Sequence, residues 1–273
     1  MKPVISLIIS IYNKIDVLKR VLCSLELQTL KNFEVILSDD GSDESSIAEI
    51  NALLTSYSFT IQHIWHPNNG WNKNAILNRS IVACESPYIV FIDGDCIVHP
   101  HFIKEHHLSK MSNTVLAGRR VHLSQKLSDK ITTSVIKGGY LNNGVLKDSF
   151  WDSIWSASRD VEQGIYIKSK SIRKFLNRKD KGILGSNFSV SKQDLIDING
   201  FDERFTHPAA GEDTDIEARL RRNGLAVKTI RNQAIQYHLY HKQLERNEER
   251  LIYLDENNAN KITYTPFGIN KSV

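Results

Sequence analysis

Asp93-Gly94-Asp95 closes the apolar run Tyr88-Ile89-Val90-Phe91-Ile92. Two carboxylates one residue apart point to the same side of an extended chain, and the glycine between them lets a diphosphate approach the backbone. Hard oxygen donors of this kind hold Mg2+ or Mn2+, and the ion in turn neutralises the diphosphate. The plain alternative is an acidic turn at the end of a strand. Asp39-Asp40-Gly41-Ser42 follows a second apolar run, Phe33-Glu34-Val35-Ile36-Leu37. Asp40 can accept hydrogen bonds from a base or a ribose; equally, Ser42 or Asp43 can cap a helix beginning near Glu44.

Two further constellations lie late in the chain. Gly211-Glu212-Asp213-Thr214-Asp215 opens a helix that stops at Asn223-Gly224. The helix dipole alone accounts for acidic residues in a first turn, yet one of them can also serve as general base for an acceptor hydroxyl. The same dipole lowers a carboxylate's pKa, so a weak base that takes its proton late is expected. In Tyr237-His238-Leu239-Tyr240-His241, an imidazole beside carboxylates would tilt a site from Mg2+ toward Mn2+; a structural histidine is the alternative. The remaining histidines, His106-His107 among them, show no metal-ligand spacing.

The elements that must position these residues alternate. Strands are expected over Val4–Ser10, Phe33–Leu37, Thr60–Trp65 and Tyr88–Ile92, and helices over Asp16–Gln28, Glu44–Tyr57 and Lys73–Cys84. Continuous β-branched runs are those of strands covered on both faces. Strand–helix alternation implies an α/β fold with a mostly parallel sheet and ligands at the carboxyl ends of its strands. Regularity fails over residues 124–180, which read as covering helices or as a loop that orders on binding. It returns at Gly182–Val190, in a helix Gln193–Ile198, in a strand Ala226–Ile230, and in a charged helix expected over Lys242–Asn258.

Composition narrows the classes. The chain has 273 residues, 41% hydrophobic and 24% charged, with a formal net charge of +4. That is mildly basic, suited to anionic ligands, and without any nucleic-acid-binding signature. Cys23, Cys84 and Cys96 form neither a disulfide framework nor a CxxC pair and read as small buried hydrophobes in a reducing compartment. Val4–Tyr12 is too short to span a bilayer, which needs about 20 apolar residues, and reads as a buried strand. The expectation is a cytoplasmic protein. Trp151, Trp155 and the lysines near 168–181 either touch a membrane peripherally or are ordinary cover for the core.

Taken in order, Ser6–Asn13 (SLIISIYN), Val35–Ser42 (VILSDDGS), Gly70–Ile81 (GWNKNAILNRSI), Tyr88–Pro100 (YIVFIDGDCIVHP), Gly185–Val190 (GSNFSV), Asn199–Glu203 (NGFDE), Gly211–Leu220 (GEDTDIEARL) and Tyr237–His241 (YHLYH) resemble glycosyltransferase family two, of GT-A fold. The later motifs look like the carboxyl-terminal module shared with galactosyltransferases and chondroitin-type polymerases. The resemblance implies an inverting, metal-dependent transferase that moves a sugar from a UDP-sugar donor to a saccharide or lipid-linked saccharide acceptor in bacterial surface polysaccharide or glycolipid synthesis. It implies that Ser10, Tyr12 and Asp40 hold the uridine, with Lys73 and Asn78 in the helix lining that pocket. Asp93 would contact the ribose and the metal shell, with Gly94 beside the diphosphate. Asp95 would ligate Mn2+ or Mg2+ together with His238, or with His241 in its place. Asn187 would border the donor sugar, Asp213 would be the base, and Glu212 would bind hydroxyls. Residues 1–100 would be the nucleotide-sugar-binding half, 101–240 the acceptor-binding and catalytic half, and 241–273 a carboxyl-terminal helix and tail. Many relatives carry Trp and Gly just before the Glu-Asp pair; Thr206-His207-Pro208-Ala209-Ala210 stands there instead, so the acceptor does not transfer. Ser10 stands where proline is frequent. Two rivals are a sugar-nucleotide pyrophosphorylase, disfavoured because Ser10–Lys14 holds no glycine for a triphosphate loop, and a non-catalytic nucleotide-sugar-binding partner subunit.

Overall fold

The computed structural model describes residues 2–155, 158–177, 181–208, 211–242 and 251–271. Four strands come first: β1 Ser6–Ile11, β2 Glu34–Asp39, β3 Thr60–Trp65 and β4 Tyr88–Asp93. The β1, β2 and β4 side chains are almost wholly buried on both faces, which is why their sequences run apolar without alternating. Short strands follow: β5 Cys96–Val98, β6 Thr114–Ala117, β7 Arg119–His122, β8 Asn187–Ser191, β9 Ala226–Thr229 and β10 Ile235–His238. The large sheet has the order β3-β2-β1-β4-β8-β6-β9; a small one has the order β5-β10-β7. β1 to β4 are mutually parallel, and β8 enters antiparallel between β4 and β6.

One apolar core covers each face of the large sheet. Leu7, Ile9, Val35, Val90, Leu22 and Ile103 meet on the first face; Ile8, Ile36, Phe91, Leu77, Phe188 and Ile216 share the second. Both cores draw on residues before and after position 100, so the two parts of the chain fold around shared interiors.

The helices Ile15–Glu26, Glu44–Leu53, Lys73–Ala83 and Glu212–Arg222 lie within a few residues of their expected bounds. Asp43 caps the second by accepting from Ser46 N. Gly224, at φ 91°, ends the last in the left-handed conformation that glycine adopts freely. Residues 124–180 contain short helices over Gln125–Lys130, Thr133–Lys137, Gly144–Trp155 and Lys170–Leu176 and a 3-10 turn over Val161–Gly164. Three of these begin at a capping Ser124, Thr132 or Ser169. Only Val145 and Ser149 of Gly144–Trp155 are buried; Trp151 is 57% and Trp155 84% exposed, so these tryptophans do not cover the core. Ile252–Ala259 is helical, while residues 243–250 of the expected charged helix lie outside the described residues. Among the described residues, no helix is long and apolar enough to cross a membrane.

Arg219 is fully buried and ties the Glu212–Arg222 helix to its neighbours. Its Nε donates to Asp215 Oδ2 at 2.8 Å, and its Nη1 donates to the carbonyls of Ile198 at 3.0 Å and Gly200 at 2.7 Å. Removing one partner of a buried pair strands the other as an uncompensated charge. Arg219→Met is therefore expected to lower stability by about 3–5 kcal/mol in urea unfolding; a loss under about 1 kcal/mol would show that the pair is not structural.

Candidate active site

Parallel register brings the acidic strand ends to one edge. Ser10 pairs with Asp93, and Ile11 with Asp39. Gly94 N donates to Ser10 O at 2.8 Å. A Cβ on Gly94 would lie 2.9 Å from both Ser10 O and Ile11 Cγ2. The constraint visible at Gly94 is therefore the adjoining strand. At this turn the chain passes from the large sheet to the small one, and the two aspartates acquire different neighbours. Asp93 meets Lys73 Nζ at 3.2 Å and Arg120 Nη1 at 3.7 Å. Asp95 meets His238 Nε2 at 3.6 Å and His241 Nε2 at 3.3 Å.

The charges divide accordingly. Burial opposes ionisation of Asp93, but Lys73 and Arg120 outweigh it and hold the carboxyl below its usual range. Burial and then the charge of Asp93 push Asp95 up. Burial, with Arg120 next, takes His238 down to about 3, leaving a neutral imidazole. Burial also opposes charge on Lys73, yet Asp93, Asp213 and Glu212 together hold it firmly protonated. Lys73 thus lies near both the Asp93 strand end and the Glu212-Asp213 helix start.

At that helix start, Gly185 N donates to Asp213 Oδ2 at 2.8 Å, and a side chain on Gly185 would collide with the Asp213 carboxylate. Burial, then the neighbouring charge of Glu212, raises Asp213 to about 6. This corrects the expectation of a carboxyl lowered by the helix dipole: desolvation and a like charge outweigh the dipole and the Gly185 N–H. Asp215 faces inward to Arg219 and takes no part in the site.

The remaining site residues spread around this centre. Asp40 accepts from His66 Nε2 at 2.8 Å and from Asn72 N at 3.1 Å, fastening the loop before the Lys73–Ala83 helix; burial raises its pKa. Tyr12 is 51% exposed beside it, its hydroxyl accepting from Asn68 Nδ2. Asn78 and Asn187 are buried. Asn78 exchanges hydrogen bonds with Phe201 N and O, and Asn187 donates to the carbonyls of Arg119 and Ala234 and accepts from His106 Nε2. Both amides brace the walls of the site with every strong contact made to protein. Arg120 and His122 lie in β7, too short a strand to be legible, and were not among the expected site residues. The alternation Arg120-Val121-His122, which puts the two polar residues on one face, is the available signal. Ala209 and Ala210 lie outside the described residues.

The donor set fits a divalent ion. One ligand atom each from Asp95, Cys96 and His238 lies within 4.8 Å of the others, and a carboxylate with a neutral imidazole suits first-row divalent metals.

A mostly parallel sheet with paired aspartates at its carboxyl edge is the GT-A arrangement. The chain belongs to glycosyl transferase family 2, whose model matches residues 6–157; residues 170–242 match the N-terminal domain of galactosyltransferase. It is 26% identical to chondroitin synthase of Escherichia coli over 248 residues, 86% of this chain and 34% of that one. It is 24% identical to hyaluronan synthase of Pasteurella multocida, over 83% of this chain and 24% of that one. The chain therefore spans about a third or less of these relatives. In fold it is similar to TarS of S. aureus, with TM-score 0.57 and 16% identity over 88% of this chain and 37% of that one. It is also similar to the mannosyltransferase PcManGT of Pyrobaculum calidifontis in complex with GDP-Man and Mn2+, with TM-score 0.55 and 12% identity over 89% of this chain and 59% of that one.

Asp213 ionises less readily in the folded chain than in the unfolded one, so its raised pKa favours folding at low pH and that contribution is lost as pH rises through about 6. Metal-free Asp213→Asn should melt at a higher temperature than wild type above pH 6, with the gap closing as pH falls from about 6 toward 3.8. Equal melting temperatures across that range would show that Asp213 is not raised.

Proposed function

We propose that this chain is an inverting, metal-dependent glycosyltransferase that moves a sugar from a UDP-sugar to an acceptor hydroxyl in the synthesis of a bacterial surface polysaccharide or glycolipid. The observation that carries it is the Asp93-Gly94-Asp95 turn at the carboxyl edge of the sheet, with Lys73 Nζ 3.2 Å from Asp93 and His238 Nε2 3.6 Å from Asp95. Lys73 also feels the charge of Glu212 and Asp213, so both acidic groups lie near one cation. The names of the chondroitin and hyaluronan synthases support the polysaccharide class, and a complex of TarS 1–349 with UDP-GlcNAc is in keeping with a UDP-sugar donor.

In this reading residues 1–100 hold the donor, with Ser10, Tyr12 and Asp40 around the uridine, and residues 101–240 receive the acceptor. Asp95 and His238 would hold an Mn2+ or Mg2+ ion, which when bound would supply Lewis-acid neutralisation of diphosphate charge. Asp93 stays ionised between Lys73 and Arg120 and faces the ribose. Gly185 N–H holds Asp213 Oδ2, leaving Oδ1 to take the proton of the attacking hydroxyl. A carboxyl raised to about 6 is ionised at neutral pH yet more basic than an ordinary aspartate, as general-base work requires. Glu212 binds hydroxyls beside it. The protein acts at the cytoplasmic face of a membrane, with exposed Trp151 and Trp155 as the peripheral contact for a lipid-linked saccharide acceptor.

The test is UDP release from a panel of UDP-sugars, with and without Mn2+. Wild type should show metal-dependent release from one donor, and Asp95→Asn should lose it. Asp213→Asn should retain calorimetric UDP binding while turnover falls roughly 10²–10⁴-fold, and wild-type turnover should decline as pH drops through about 6. Full transfer by Asp213→Asn would remove the base assignment. UDP binding without turnover on any donor and acceptor would favour a binding subunit.

A further inference from the structure

Cys96 opens β5 and pairs directly with His238 across the antiparallel β5–β10 ladder, and His238 pairs in register with His122 on β7. Direct cross-strand partners share one face of a sheet. Cys96, His238 and His122 therefore form one row, with the two imidazole centroids 5.2 Å apart. Asp95 and His241 close over the row. Cys96 Sγ lies 3.5 Å from Asp95 Oδ1, and His241 Nε2 lies 3.2 Å from His238 Nε2. The other cysteines differ: Cys23 and Cys84 each pack into one of the two apolar cores, and Cys96 belongs to neither.

The two edges from Asp95 have the length of those in a tetrahedral centre. Zinc bonds of about 2.3 Å to sulfur and about 2.0–2.1 Å to nitrogen or oxygen imply edges of roughly 3.3–3.6 Å between ligand atoms. The separations are 3.5 Å for Asp95–Cys96 and 3.6 Å for Asp95–His238, with the Cys96 and His238 donor atoms within 4.8 Å of each other. Magnesium, by contrast, demands an octahedron of oxygens.

We propose that Cys96 binds as a thiolate the divalent ion held by Asp95 and His238, making a mixed sulfur, nitrogen and oxygen centre that prefers thiophilic ions such as Zn2+ and Co2+ to Mg2+. This rests on the metal site proposed above and adds a ligand and a metal class to it. Three protein ligands leave the fourth position open, beside His241. The Cys96 thiol proton passes to solvent as the sulfur–metal bond forms.

Cobalt titration of the metal-free protein tests this without activity. Wild type should develop a near-ultraviolet sulfur-to-cobalt charge-transfer band saturating at one equivalent, and Zn2+ should bleach it. Cys23→Ala and Cys84→Ala should keep the band. Cys96→Ser should lose it while the weaker visible cobalt bands persist, and its Zn2+ affinity should fall roughly tenfold or more. Cobalt bound by wild type without the band, or a band surviving in Cys96→Ser, would overturn thiolate ligation while leaving the ion on Asp95 and His238. Failure of wild type to bind cobalt at all would overturn both this proposal and the metal site it rests on.

Discussion

Lys73 makes it possible for two acidic groups to share one edge of the sheet. Asp93 arrives on β4, and Glu212 and Asp213 arrive on a helix more than a hundred residues later. Brought together out of water, like charges repel and each loses hydration. A single ammonium in the first turn of the Lys73–Ala83 helix answers both groups, with Arg120 as a second cation against Asp93. The position of that turn is fixed by Asp40, which holds Asn72 N and the His66 side chain. The Asp40 carboxylate thus also determines where the central cation stands.

The turn at Gly94 separates two chemistries that the triplet Asp-Gly-Asp suggests are one. Asp93 belongs to the large sheet and to cations. Asp95 belongs to the small sheet and to the imidazoles of His238 and His241, its carbonyl accepting from Leu239 N at 2.9 Å. An ionised carboxylate between lysine and arginine is poorly placed to share a metal, whereas a carboxylate beside the neutral His238 imidazole is well placed. The two aspartates divide the work because the backbone changes sheets between them.

What was legible in the sequence follows from the same geometry. β1, β2 and β4 were visible because burial on both faces forces unbroken apolar runs, and their acidic ends followed from parallel register. Arg120 and His122 were hidden because a four-residue strand gives one alternation and no more. Residues 124–180 resisted assignment because their helices are mostly one or two turns long and bury few side chains, so no periodicity accumulates. Asn78 and Asn187 were legible as polar residues in the right motifs, but only the folded chain reveals that their amides join backbone segments. Cys96 looked like its two fellow cysteines; its row with His238 depends on strand pairing across more than half of the chain's length.

Asp213 and Asp215 show how far local pattern can mislead and why. They stand two residues apart in one helical turn, roughly 200° apart around the axis, so they face opposite ways. Asp215 turns into the protein and is neutralised by Arg219, which also grips the carbonyls of Ile198 and Gly200. Asp213 turns into the site and has only a backbone N–H and the Lys73 ammonium to offset its burial. The paired aspartate holds the helix in place, and the raised pKa of its neighbour depends on that rigidity. A looser helix would let the carboxyl of Asp213 swing out to water and return toward its ordinary acidity.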